Sequence, residues 1–104
     1  MAHCKRAPMT YTFEVLPLAV RDDRRVVPDF DAVCSALSET AAMRIAGKIV
    51  AEGAAIGVVG ANVYRCPCDD EPRPRYHSER IAYIGKRLVW SGYHRSWVVE
   101  DEKL

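Results

Sequence analysis

The chain has 104 residues, 49% of them hydrophobic and 28% charged, with a formal net charge of +1. This is the composition of an ordinary globular protein, long enough to bury about two-thirds of its unfolded surface, so folding requires neither a metal nor a disulfide. The near-neutral balance excludes a global attraction to nucleic acid or acidic membranes; any such attraction must be local.

The basic start MAHCKRAPMT has no apolar segment behind it, so no secretory signal is read there. The longest apolar run, residues 54–61, is far short of the roughly 20 residues that span a bilayer, so no membrane segment is expected. A cytoplasmic location is the default expectation, and in a reducing compartment the four cysteines are expected as thiols or metal ligands. Residues 1–9 read as a flexible leader, 10–99 as one folded domain and 100–104 as an acidic tail.

The first patterned segment is TYTFEVL, in which Tyr11, Phe13 and Val15 alternate with polar neighbours. Alternation of that kind predicts a half-buried strand, weakened or ended by Pro17, which has no N–H to donate. The RDDRR run at 21–25 reads as the tip of a small hairpin between residues 18–20 and 26–27. From Asp29, apolar residues recur at spacings of three and four: Phe30, Val33, Cys34, Leu37, Ala41, Ile45, Ile49 and Val50. The stripe predicts one long helix capped by Asp29 and closed by Gly53, with Cys34 as a small core residue on its buried face. A break at Ser38, starting a second helix, is the alternative.

The segment AAIGVVGANVYR, from about Ala55, carries apolar side chains on both parities and reads as a central strand, with Gly57 and Gly60 marking a bulge or a close approach by the helix. These glycines follow a helix and lie within a strand, so they do not form a dinucleotide-binding loop. Strand, helix, strand in one sheet implies a parallel, right-handed crossover. CPCDDEPRPRYHS is then a long exposed loop. Residues 79–91 fit either a helix or a hairpin; the β-preferring Ile81, Tyr83, Ile84, Val89 and Trp90, with Gly85-Lys86 as the turn, favour the hairpin. Residues 95–99 form a last short strand. The expected fold is an α+β single domain of order β-α-β-β-β, one long helix packed on a mostly antiparallel sheet.

Two constellations bear on function. Cys66, Cys68 and His77, with His94 and Cys4 within reach, offer soft ligands that suit zinc, but structural zinc sites present wider thiol pairs than Cys-x-Cys and no second pair follows. The redox motif is Cys-x-x-Cys opening a helix, which also differs. Two loop cysteines with no shared task are the plainer reading. The second constellation, residues 72–98, carries six basic residues against one acid, a local charge of +5, interleaved with Tyr76, Tyr83, Trp90, Tyr93 and Trp97. Guanidinium groups fork onto phosphate or carboxylate oxygens and exposed aromatics stack on bases, which makes Arg75, Arg80, Lys86, Arg87, Trp90 and Arg95 the candidate ligand-binding set. An amphipathic sheet with an arginine-rich solvated face produces the same composition.

No nucleophile pattern is present. Ser91 near His94 lacks the GxSxG elbow and a placed carboxylate, and Asp69, Asp70 and Glu71 lack calcium-loop spacing. His77 or His94 as an acid or base in a small enzyme is not selected by any spacing. The expected function is a small non-catalytic binding or interaction protein without a cofactor, its partner an acidic protein or nucleic acid; a metal or thiol protein built on the Cys-Pro-Cys loop is the alternative. One helix cannot cover both faces of the sheet, so a homodimer through the other face is also expected.

Overall fold

A single long strand, β1 (Thr10–Val20), forms the spine of the computed structural model, which describes residues 10–68 and 78–100. One edge of β1 pairs antiparallel along its length with β4 (Val58–Cys68), and β4 pairs antiparallel with β5 (Glu79–Gly85). The other edge of β1 carries two short antiparallel strands end to end, β3 (Cys34–Ala36) beside Phe13–Val15 and β2 (Val26–Pro28) beside Leu18–Val20. A separate antiparallel hairpin, β6 (Leu88–Ser91) with β7 (Ser96–Val99), follows β5. The fold is α+β, with one helix, α1 (Glu39–Gly53), packed against the antiparallel sheet.

The hairpin expected around RDDRR is present, with Val20 opposite Val26 and the loop closed by bonds from Arg21 N–H to Arg25 O and from Arg24 N–H to Arg21 O, both 2.8 Å. Pro17 does not end β1. Its carbonyl accepts from Asp29 N–H on the β2–β3 edge, in the gap between those strands. A strand residue directs its N–H and C=O to the same side, so the missing N–H of Pro17 removes no bond to β4.

The helix is shorter than the apolar stripe. Residues 30–32 form a 3-10 turn, Asp29 makes no side-chain cap, and Cys34–Ala36 is drawn into the sheet as β3. The helix begins instead at Ser38, whose Oγ accepts from Ala41 N–H at 3.1 Å. Phe30 and Leu37, placed on the buried face by the stripe, are 61% and 86% exposed. Cys34 does pack against the core, but from β3. Tertiary pairing with β1 outweighs the local period there. The other end runs on through a second 3-10 turn, Ala54–Ile56, to Gly57, whose φ of +95° makes it the left-handed cap in place of Gly53. Gly53 is a packing glycine, since a Cβ there would meet the Val58 side chain at 2.6 Å.

Because β3, not β1, leads into α1, the crossover joins β3 to β4. These two flank β1 and run parallel to each other, while β1 and β4 are antiparallel, contrary to the parallel pair expected. Beneath α1 the core consists of Phe13, Val15, Ala61 and Val63 from the sheet, met by Ala42 and Ala46 from the helix. Those two alanines are fully buried, and their small side chains let the helix backbone approach the sheet closely.

Two β-bulges decide which residues face away from the helix. Leu18 pairs with Gly60 but Ala19 with Val58, so Val59 is extra on β4; Val63 pairs with Ala82 but Tyr64 with Arg80, so Ile81 is extra on β5. A bulge reverses side-chain parity beyond it. Val59 therefore leaves the face of Ala61 and Val63 and joins Leu18 and Val26 in a second cluster on the opposite face, where Tyr83, Leu88 and Val99 also pack. Arg80 likewise leaves the face of Ala82 and Ile84.

Residues 79–91 are strands, but not a hairpin with each other: β5 pairs with β4 and β6 with β7. Gly85 and Lys86 serve as the joint between the two sheets, with Lys86 N–H bonded to Val59 O. The true hairpin turn is Gly92–Arg95, closed by Arg95 at φ +54°. Glu100, counted with the tail on sequence, donates its N–H to Arg87 O at 2.9 Å.

Candidate functional site: a groove on the helix-free face

The β6–β7 hairpin lies over one end of the helix-free face and, among the described residues, leaves the rest as a groove of about 850 Å³. Three rows across β1, β4 and β5 describe its floor. At the open end stand Glu14, Tyr64 and Arg80, in the middle Leu16, Asn62 and Tyr83, and at the hairpin end Leu18, Gly60 and Gly85. Successive rows are two residues apart, about 7 Å. The floor therefore grades from polar to apolar along the strands. Phe30 and Val33 from the 3-10 turn line one side, and Leu88 and Trp97 of the hairpin another.

At the hairpin end the glycines are structural. A Cβ on Gly60 would lie 2.3 Å from the Tyr83 hydroxyl, and one on Gly85 would lie 2.4 Å from both Gly60 Cα and Val59 O. It is the Tyr83 side chain, not the helix, that approaches Gly60 closely. Its hydroxyl donates to Lys86 O, tying the floor to the joint of the hairpin. Burial pushes the Tyr83 phenol up from its ordinary value of 10.0. The neutral form is the one favoured by folding, so this contribution to stability is present below pH about 10 and is lost as pH rises through the folded-state value. Alkaline titration followed at 295 nm is expected to show a tyrosine ionising above the ordinary phenol value, and Tyr83→Phe to remove that step.

The polar end is loosely bonded. Arg80 Nη1 reaches Asn62 Oδ1 at 3.5 Å, and Asn62 Nδ2 reaches the Tyr64 hydroxyl at 3.5 Å, both at the outer limit of a hydrogen bond. Arg80 has no carboxylate among the described residues within ion-pair distance. Arg87, also in the lining, is paired with Glu100 at 3.0 Å on the exposed surface.

The candidate ligand-binding set is thus only partly assembled. Arg80 and Arg87 line the groove. Trp90 stands opposite Trp97 in the hairpin, the rings edge to face at 5.6 Å, and it is Trp97 that reaches the lining. Lys86 occupies the joint and Arg95 the turn. Arg75 lies outside the described residues, as do His77 and the side chain of Cys68. Cys66 Sγ accepts from Ser78 Oγ at 3.2 Å, and among the described residues no three metal-ligating side chains converge. Ser91 Oγ lies 2.8 Å from His94 Nδ1 and accepts from His94 N–H, a contact three residues apart that closes the hairpin turn.

Leu16, Asn62, Tyr64, Phe30 and Val33 line the groove but were not named as site residues from the sequence. Leu16 and Tyr64 had a usable signal, since they occupy the strand parity opposite the helix-facing residues. Fold and site together define a small α+β sheet protein, covered by a helix on one face and walled by a hairpin on the other. No protein-family model, curated protein or solved structure matches the chain. No helix among the described residues is long and apolar enough to cross a membrane.

Proposed function

We propose that the protein is a non-catalytic binding module whose ligand lies in the groove of the helix-free face. The observation that carries this reading is the groove itself: a concave, mostly apolar floor with a few convergent polar groups, of the volume typical of small-molecule sites. Its rim supports the same reading. Phe30, Val33 and Trp97 are 61%, 38% and 50% exposed, and clustered exposed apolar side chains mark a surface that is covered in use. The basic and aromatic character of residues 72–98 enters through Arg80, Arg87 and Trp97.

The test uses the neutral fluorescent probe N-phenyl-1-naphthylamine on a Trp90→Phe protein, in which Trp97 is the remaining tryptophan. Saturable binding at one probe per chain, with quenching of Trp97, is expected. Phe30→Ser with Val33→Ser should weaken it several-fold without loss of fold, because both side chains are exposed. Absence of saturable binding would refute the groove as a site.

A further inference from the structure

We infer that the groove takes an amphipathic carboxylate, its acid group on the Arg80 guanidinium and its aliphatic body along Leu16 toward Leu18 and Leu88; this rests on the binding reading above. Three observations converge. The floor is ordered, with its polar row at the open end and its apolar row under the hairpin. The two rows are about 14 Å apart, which matches an extended body of about ten carbons. Arg80 is brought onto this face by the bulge at Ile81, and its described contact is a neutral amide at 3.5 Å. An exposed guanidinium at the polar end of the floor, beside an amide that holds it only weakly, fits the planar fork of a carboxylate.

Among the described residues, the other charged side chains of the lining are Arg87 and Glu14. Arg87 is ion-paired with Glu100 on the exposed surface. Glu14 has its own interactions, and its backbone lies on the far side of Tyr64, two strand spacings or about 10 Å from that of Arg80. Asn62, between the polar and apolar rows, offers one donor and one acceptor to the first atoms of the ligand.

Displacement of N-phenyl-1-naphthylamine from the Trp90→Phe protein separates the two claims. Decanoate is expected to displace the probe at a concentration at least about tenfold below that of decanol or decyltrimethylammonium. Arg80→Gln should abolish the difference between decanoate and decanol. Equal displacement by decanoate and decanol, or an unchanged preference in Arg80→Gln, would overturn the carboxylate assignment and leave the binding reading standing. Failure of the probe to bind would remove both. Light scattering on the same samples should show one mass with and without decanoate. A dimer that shields Trp97 and resists decanoate would overturn the assignment in favour of a second copy of the chain.

Discussion

Gly85→Ala is expected to destabilise the protein by about 3 kcal/mol or more, the largest effect of any single added methyl group. Two independent penalties coincide. Gly85 has φ +145°, a conformation that side-chain-bearing residues rarely adopt, and its Cβ would sit 2.4 Å from Gly60 Cα and Val59 O. Both neighbours are backbone, so no rotamer change relieves the clash. At about 4–8 °C per kcal/mol for a domain of this size, thermal unfolding should move down by at least about 12 °C.

Gly60→Ala provides the control. Its Cβ would meet the side chain of Tyr83, at 2.3 to 2.6 Å from three of its atoms, and that side chain is held by its bond to Lys86 O. A cost of about 2 kcal/mol is expected in the natural background and less than about 1 kcal/mol in Tyr83→Ala, where the obstructing ring is gone. Simple additivity of the two substitutions would show that Tyr83 does not occupy the space over Gly60. A Gly85→Ala protein as stable as the natural one would contradict the close strand approach at the joint.

The second large effect lies under the helix. Val15 and Val63 are cross-strand partners and the largest fully buried side chains. Each valine-to-alanine change removes two carbons, about 1.6 kcal/mol of burial, and leaves a cavity, for about 2 kcal/mol in all. The two losses would sum to about 4 kcal/mol, much of the 5–15 kcal/mol that typically holds a domain together, if the sites were independent. Urea unfolding should show the midpoint falling at nearly constant slope. Because the two residues adjoin, their effects should depart from additivity by more than about 0.5 kcal/mol; strict additivity would mean that they do not share one cavity. A loss under 1 kcal/mol for either valine would show that α1 collapses into the space.

The alternation of Tyr11, Phe13 and Val15 was enough to place the first part of β1, and the charged run at 21–25 enough to place the first hairpin, because a two-residue period and a turn are local properties. The helical stripe also gave α1 from Ser38 onward. The same stripe misled before it, since Phe30, Val33 and Leu37 keep helical spacing in a segment that β1 captures as a turn and a strand.

The candidate site was legible only in part. Arg80 and Arg87 were named from composition, but Arg80 reaches the groove through a bulge that no local pattern encodes, and Leu16 looked like an ordinary strand residue.

From the sequence alone follow the α+β class, the main strand, the helix body and the basic-aromatic character of the later segments, all set by periodicity and side-chain chemistry within a few residues. Only the tertiary structure decided that Pro17 faces a gap, that β5 and β6 pair with different partners, and that the bulges at Val59 and Ile81 turn apolar and charged residues onto the helix-free face. Those outcomes depend on which strands lie side by side, and strand register couples residues far apart in the chain.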